Sequence, residues 1–516
     1  MSATLKHIAD FSEAQKRWLF IGCFIALAAT SFGFVVRTVL MVEWGLEFNL
    51  TEVQKGEIFG VGLWPFAISI ILFSLVIDKI GYGKAMAFAF ACHASSVVLT
   101  IFATGYWSLY IATFIAALGA GTVEAAINPA VATMYPKDKT KWLIMLHGGW
   151  PAGLVLGGML AIGMGALAWE WKVALILIPT LTYGAMLFKH PFPVNERVAS
   201  GVSYNAMLKQ AGGLGALIVL YLIFSEIGRV FDVEPLITTG LAVAVAAAFG
   251  LYVKSLGRPI FVILLLIMIP LATTELGTDA WITPLMETEM AALNMHPGWV
   301  LIYTSAIMLV LRLFAAPIVH KLSPLGLLMA SSAVAAVGLV ALSSTTGMMI
   351  FVAATLYALG KTFLWPTMLG VVAEQYPEGG ALTLNATGGV GMLAVGVVGA
   401  VFLGLIQDQS IETQLADENP AIHAQVVSTK NSVFGEYDAV DPALRANVSD
   451  EENVIIDQTV EKATQGALTT VAIFPVLMFF SYLGLMLFYR SKGGYKPKEL
   501  AGEGGGQQAE PETFIR

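Results

Sequence analysis

The sequence predicts an all-α membrane protein of fourteen transmembrane helices, arranged as two six-helix bundles with two further helices inserted between them. Three observations predict it. Hydrophobic residues make up 57% of the 516 and charged residues only 12%, about half the charged share of a soluble domain. Apolar runs of roughly 18 residues or more, the length that crosses a hydrocarbon layer of about 30 Å as helix, recur from one end to the other. The chain also matches itself at an offset of 241 residues.

The apolar runs are 18–41, 58–77, 82–104, 106–134, 142–168, 172–189, 211–230, 236–254, 259–285, 298–319, 325–345, 347–373, 383–406 and 466–489. The first is too long for a signal-peptide core and passes straight into helix hairpins, so it reads as a mature helix with no soluble domain before it. Cys23 and Cys92 stand inside apolar helices, which argues against a disulfide framework and against a metal site. No Walker sequence, dinucleotide fingerprint or paired-histidine motif appears, so ATP-driven pumping and redox chemistry lack support. No catalytic residue, metal ligand, cofactor or nucleic-acid partner is assigned.

The self-match fixes the expected architecture. Ala117, Leu118 and Gly119 fall on Ala358, Leu359 and Gly360; Ala132, Tyr135 and Pro136 fall on Ala373, Tyr376 and Pro377; Gly148 and Gly158 fall on Gly389 and Gly399. Residues 1–200 are therefore expected to form the first six-helix bundle, 201–258 the inserted pair and 259–490 the second bundle. Helices 1 to 12 are counted over the two bundles, leaving the inserted pair aside. Gly149, Gly153, Gly157 and Gly158 in helix 5 allow close helix approach.

Charge orients the chain. Most Lys and Arg, among them Lys16, Arg17, Lys79, Lys84, Lys137, Lys139, Lys141, Lys321, Arg490 and Lys492, fall on the side of the N-terminus. The positive-inside rule then puts both termini in the cytoplasm and the chain in the inner membrane. The loop 407–465 holds far more Asp and Glu than Lys and Arg, accounting for more than the whole net charge of −8, and reads as a solvated extracytoplasmic loop. The segment 491–516 reads as a disordered cytoplasmic tail.

Ionisable groups near mid-membrane cost about 2.5 to 3.5 kcal/mol each, so each should face a cavity or a partner. The candidates are Arg37 in helix 1, Glu124 in helix 4, Glu275 and Asp279 in helix 7, Arg312 in helix 8, Lys361 in helix 10, and Glu226 in the first inserted helix, read with Arg229 as interfacial. Glu124 and Asn128 share a helix face, as do Glu275 and Asp279, and Tyr357, Lys361 and Trp365. Two rings flanking an ammonium suit a sugar, or equally cation-π packing within the protein. Burial and a nearby cation act in opposite senses on a carboxyl group, so solute arrival could switch its protonation; Arg37 is the expected neighbour of Glu124, and a permanent pair between them is the structural alternative. Glu275 and Asp279 are expected to repel unless a proton or a sodium ion intervenes. Arg312 is read as structural or gating. His147, beside Trp150 and Pro151, is a candidate lining residue.

The loop Asp78-Lys79-Ile80-Gly81-Tyr82-Gly83-Lys84 resembles the loop signature of the major facilitator superfamily, with Asp78, Lys79 and Gly81 as its gating or structural residues. Helix 4 reads Gly121-Thr122-Val123-Glu124-Ala125-Ala126-Ile127-Asn128-Pro129, helix 7 reads Thr274-Glu275-Leu276-Gly277-Thr278-Asp279-Ala280-Trp281, and helix 8 contains Leu311-Arg312-Leu313-Phe314. These are similar to the fucose permease-like branch. The resemblance implies the major facilitator fold, with helices 1, 4, 7 and 10 lining a transport cavity near mid-membrane. It also implies proton-linked uptake of a monosaccharide by alternating access, with Glu124 at a position associated with proton coupling.

The expectation is a secondary active transporter, monomeric in a lipid bilayer, moving a small polar solute. Arg37, Glu124, Asn128, His147, Glu275, Asp279, Tyr357, Lys361 and Trp365 are its expected binding residues, and Glu124, Glu275 and Asp279 its coupling residues. A sugar ranks first. The cations Arg37, Arg312 and Lys361 equally suit an organic anion or sugar acid, and a non-transporting sensor is the alternative of a different class. A membrane enzyme finds no support, since no nucleophile, acid and base cluster near one membrane face.

Overall fold

The structure, a computed structural model, describes residues 5–165, 167–279, 287–293, 295–345, 347–396, 400–432 and 435–500. Among them, eleven helices are long and apolar enough to cross a membrane. α1 (Glu13–Glu47) starts at a capping box in which the Ser12 hydroxyl accepts from the Gln15 amide and the Gln15 side chain accepts from the Ser12 amide; the two orphan donors of the helix start are thereby paired. α2 (Glu52–Gly60) and α3 (Trp64–Ile80) follow, then α4 (Tyr82–Ile101) and α5 (Tyr106–Met134).

Several runs that the sequence gives as single helices are broken. The run 142–168 becomes α6 (Lys139–Leu146) and α7 (Gly149–Gly163); 172–189 becomes α8 (Trp169–Ala174) and α9 (Leu177–Leu187). The short α10 (Glu196–Ala199) leads to the pair read as inserted, α11 (Tyr204–Phe231) and α12 (Pro235–Val253). Gly212, at φ +57°, breaks α11 from within, and the freed backbone pairs with the loop after α12: the Gly213 and Leu214 amides donate to the Ser255 and Leu256 carbonyls.

α13 (Pro259–Ala272) runs into a π-helical turn, Thr273–Gly277; Trp281 and Ala280 lie outside the described residues. α14 (Glu287–Ala292), α15 (Gly298–Leu313), α16 (Ala316–Val319) and α17 (Pro324–Leu342) follow. The run 347–373 splits at Thr362 and Phe363 into α18 (Met349–Lys361) and α19 (Leu364–Gln375), and α20 (Gly380–Ala394) is next. Gly399, the last repeat partner, is outside the described residues.

The repeat is visible in the backbone. α5 ends at Tyr135 with φ −128° and ψ 62°, and α19 ends at Tyr376 with φ −128° and ψ 52°. Gly119 and Gly360, also repeat partners, each seat a neighbouring helix. A Cβ on Gly119 would lie 2.8 Å from the Cys92 side chain on α4, and one on Gly360 2.2 Å from the Ala335 amide on α17. Only a glycine permits either approach.

The region 407–465 corrects the expectation of a solvated loop. α21 (Ala400–Glu418), α22 (Pro420–Val426), the hairpin β3 (Val427–Ser432) with β4 (Gly435–Val440), α23 (Pro442–Arg445) and α24 (Asp450–Val471) fold over their own apolar core of Ile411, Leu415, Ile422, Val426, Ile456 and Ala463. Its acidic surface hid that core from a reading by charge. (β1, Leu5–Lys6, and β2, Phe192–Pro193, form the other small sheet.) The last helix is α25 (Ile473–Ser491). Residues 495–498, read as disordered tail, are hydrogen-bonded to the end of α19, as detailed below.

Elements from the two ends of the chain meet along a seam. α3 packs on α20, α6 on α19, α7 on α15, and α5 on α20. α11 lies beside α20, α13 and α3, with most of its surface and that of α12 facing outward.

Candidate functional site

Three prolines shape the centre of the seam. A proline inside a helix cannot donate to the carbonyl four residues back, which leaves that oxygen open to another donor. Pro129 in α5 leaves the Ala125 carbonyl, and Asn385 on α20 donates to it at 3.1 Å. Pro366 leaves the Thr362 carbonyl, which accepts from Arg312 Nε at 2.7 Å. Pro151 cannot serve the His147 carbonyl, which accepts from Arg312 Nη1 at 2.9 Å. Arg312 thus draws together α15, the α18–α19 break and the α6–α7 junction.

Its third arm meets an acid. Arg312 Nη2 donates to Glu275 Oε1 at 2.7 Å, and the other Glu275 oxygen accepts from the Trp365 amide at 2.9 Å. Arg312 and Glu275 are 1% and 2% exposed, so the pair is fully desolvated and holds only because its lone pairs and protons are satisfied. Arg312, expected to be structural or gating, sits at the centre of this buried network.

Asp279 has a cation of its own. Lys361 Nζ donates to Asp279, and its charge lies 5.1 Å from the Tyr357 ring centre. The Tyr357 hydroxyl donates to the Thr274 carbonyl in the π-helical turn. Glu275 and Asp279 thus each have a cation of their own, Arg312 and Lys361, where a single ion between them was expected to relieve their repulsion. Trp365 does not flank Lys361 either. The helix break at Thr362 and Phe363 swings its indole onto Gly391 of α20.

Glu124 is buried, and Asn128 Nδ2 donates to its Oε2 at 3.2 Å. Arg37 is not its partner, contrary to expectation. Arg37 Nη2 instead donates to Ser96 on α4 at 2.9 Å, while its Nε is buried without a partner. Among the described residues, no carboxylate lies within salt-bridge distance of Arg37. The guanidinium lines a cavity walled by α1, α2, α4 and α5, with Met392 of α20 at its edge. Phe34 closes one side, edge-on to Phe59 at 5.7 Å and tilted on Trp150 at 6.0 Å.

His147, expected to line the cavity, is not among the residues that wall it. Its Nδ1 is 3.0 Å from the Leu143 carbonyl, and it contributes its own carbonyl to Arg312. Sequence reasoning missed His93 and Ser96, both lining residues; His93 Nδ1 is 3.1 Å from the Tyr183 hydroxyl. A histidine and a serine three apart inside an apolar run were the available signal. Asn385 was also missed, although Asn128-Pro129 announces an open carbonyl that some donor must meet.

The loop signature holds the face that carries the N-terminus. Asp78 pairs with Arg197 at 2.5 Å, Lys79 lies 5.3 Å from the Tyr204 ring centre, and Gly81 takes φ +86°. Glu226 pairs with Arg229 at 2.6 Å, and Glu226 itself is buried.

The Major Facilitator Superfamily profile matches residues 18–286, more than half of the chain. The chain belongs to the major facilitator superfamily. Over 91% of its length it superimposes on 96% of the proton:xylose symporter XylE, with a TM-score of 0.62 and 13% identity. The human organic anion transporter MFSD10 matches with a TM-score of 0.57 and 12% identity over 90% of this chain and 99% of that one. The transporter FucP in its outward conformation gives 0.54 and 14% over 89% and 99%. At these identities the likeness is one of fold.

Two relatives match in sequence over shorter stretches. A gentisate transporter of Corynebacterium glutamicum is 23% identical over 167 residues, 32% of this chain and 37% of that protein. A hexuronate transporter of Bacillus subtilis is 28% identical over 146 residues, 28% of this chain and 34% of that protein. The chain thus spans about a third of the length of these curated relatives in each match. The family match and the eleven long apolar helices among the described residues make the chain a multi-pass membrane protein of this superfamily.

Proposed function

We propose that this protein is a secondary active transporter of a small organic anion, working by alternating access between two six-helix bundles. The observation that carries the reading is Arg37: a half-buried guanidinium lining a cavity, held by one serine hydroxyl, with its buried Nε unpaired and, among the described residues, no carboxylate within salt-bridge distance. A partly desolvated charge with a buried N–H left unpaired is costly unless a ligand completes it. A carboxylate does so with two parallel hydrogen bonds. Arg312 and Lys361 are already neutralised by Glu275 and Asp279, so they do not compete for the solute's charge. Gentisate and hexuronate, named for the two sequence relatives, are both carboxylates.

A neutral sugar, ranked first from sequence, would leave Arg37 without a counter-charge and finds mostly apolar walls around it. Glu124 and Asn128 are its remaining support. Glu124 lies against α20, where any movement of the second bundle changes its surroundings, and is the proposed proton carrier; no other coupling ion or cofactor is invoked. Fourteen spans follow if the runs 172–189, 298–319 and 383–406 are added to the eleven long helices. Both termini are placed in the cytoplasm, the protein in the inner membrane as a monomer, with 1–200 and 259–490 as the bundles and 201–258 as the inserted pair.

The test is solute-driven proton movement into proteoliposomes loaded with a pH dye, using gentisate, glucuronate, xylose and fucose. The reading expects acidification with a carboxylate, lost in Glu124→Gln. Acidification with xylose or fucose alone would return the sugar reading to first place.

A further inference from the structure

The seam is sealed on the N-terminal face by one carboxylate. Glu374, in the last turn of α19, accepts from the Thr140 amide at 3.2 Å and from the Thr140 hydroxyl at 2.5 Å through Oε1. Thr140 is in the first turn of α6, so the acid caps a helix start from across the seam, where negative charge is favoured. Lys139 adds a hydrogen bond to the Ala373 carbonyl at 3.3 Å. These contacts tie α6 of the first bundle to α19 of the second, and they must part whenever this face opens.

The second Glu374 oxygen is held by the end of the chain. The Tyr495 hydroxyl donates to Oε2 at 2.8 Å. Beside it the Lys498 amide donates to the Glu374 carbonyl at 2.8 Å, and Gln375 Nε2 donates to the Lys496 carbonyl at 2.8 Å. The Lys498 ammonium lies 5.8 Å from the Tyr376 ring centre, and Tyr495 packs edge-on against Tyr489 of α25. The carbonyls here are open because Tyr376 ends α19 and Pro377 follows it. Burial and the adjacent Glu374 carboxylate push the Tyr495 phenol well above its usual range, so it remains a donor at any working pH.

We propose that residues 495–498 form a strap that keeps the N-terminal-face gate closed by holding Glu374 in place against Thr140. One carboxylate shared between the gate and the strap makes the two contacts cooperative: an acid oriented by Tyr495 does not have to be ordered again to meet Thr140. Releasing the strap therefore favours the state open on this face without altering the cavity at Arg37.

Nitroxide labels on Lys137→Cys and Lys321→Cys, exposed on this face and on opposite sides of the seam, report gate opening without any solute. Pulsed electron resonance distances would be compared for the parent pair, Tyr495→Phe, a chain ended after Gly494, and Thr140→Val. The parent should give one short distance. Tyr495→Phe and the shortened chain should add a longer one, with the open-to-closed ratio raised about tenfold, the scale of one hydrogen bond to a charged acceptor. Thr140→Val opens the gate whether or not the strap matters. A longer distance in Thr140→Val with none in either tail variant overturns the strap, and so does no change in any of them. Tyr495→Phe preserves the packed ring, so its result does not depend on the shortened chain folding.

Discussion

Arg312 on α15 donates to the main-chain carbonyl of His147 at the α6–α7 junction, 2.9 Å away across the seam. A side chain from the second half of the protein thereby fastens the backbone of the first, at an oxygen that Pro151 cannot serve. The same guanidinium neutralises Glu275, so the joint between the halves and the buried charge pair share one residue.

Losing that residue should be severe. Arg312→Gln leaves Glu275 buried without its cation, a loss of about 3 to 5 kcal/mol, read as a lowered thermal midpoint in detergent. The double variant Arg312→Met with Glu275→Gln should recover most of that stability while transport stays absent. A double variant as unstable as the single one would show that the His147 and Thr362 contacts, not the charge pair, carry the stability.

Pro129 and Asn385 should act as a unit. Asn385→Ala leaves the Ala125 carbonyl unpaired and should destabilise by about 1 to 3 kcal/mol. In a Pro129→Ala background, position 129 supplies an N–H to that carbonyl, and the same Asn385 change should cost markedly less. Additive losses in the thermal midpoint would contradict the account of the open carbonyl.

How far the sequence reaches is clear from these residues. Composition and the apolar runs foretold the membrane fold, and Tyr135 and Tyr376 foretold a repeat that the backbone repeats at nearly equal dihedrals. The charged residues were found as well, because mid-membrane charge is rare enough to mark itself. Their pairing was not legible. Helical spacing put Glu275 beside Asp279 and Lys361 beside Trp365, but the π-helical turn at Thr273–Gly277 and the break at Thr362 rotate them toward other partners. Regular spacing fails where the helix is irregular, and here the irregular segments carry the charges.

The folded region after α21 offers a pH test. Glu452 accepts from the Ser449 amide and hydroxyl at the start of α24, which holds its carboxyl below the usual range. A folded value below the unfolded one gives a contribution that is present above the usual carboxyl range and is lost as pH falls through the lowered value. The protection factors of the amides in the first turn of α24, exchange corrected for its intrinsic pH dependence, should therefore fall on acidification. Ser449→Ala should lower those protection factors at neutral pH and leave them less sensitive to acid; an unchanged acid response would remove Ser449 as the cause.

The central claim is that Arg37 awaits the solute's carboxylate. The most direct measurement is the thermal midpoint of the purified protein against rising gentisate, glucuronate and xylose, for the wild type and Arg37→Met. A ligand that binds only the folded state raises the midpoint with concentration. The account predicts a rise with at least one carboxylate, none with xylose, and no carboxylate response in Arg37→Met. A rise with xylose alone, or a carboxylate response that survives in Arg37→Met, would contradict it.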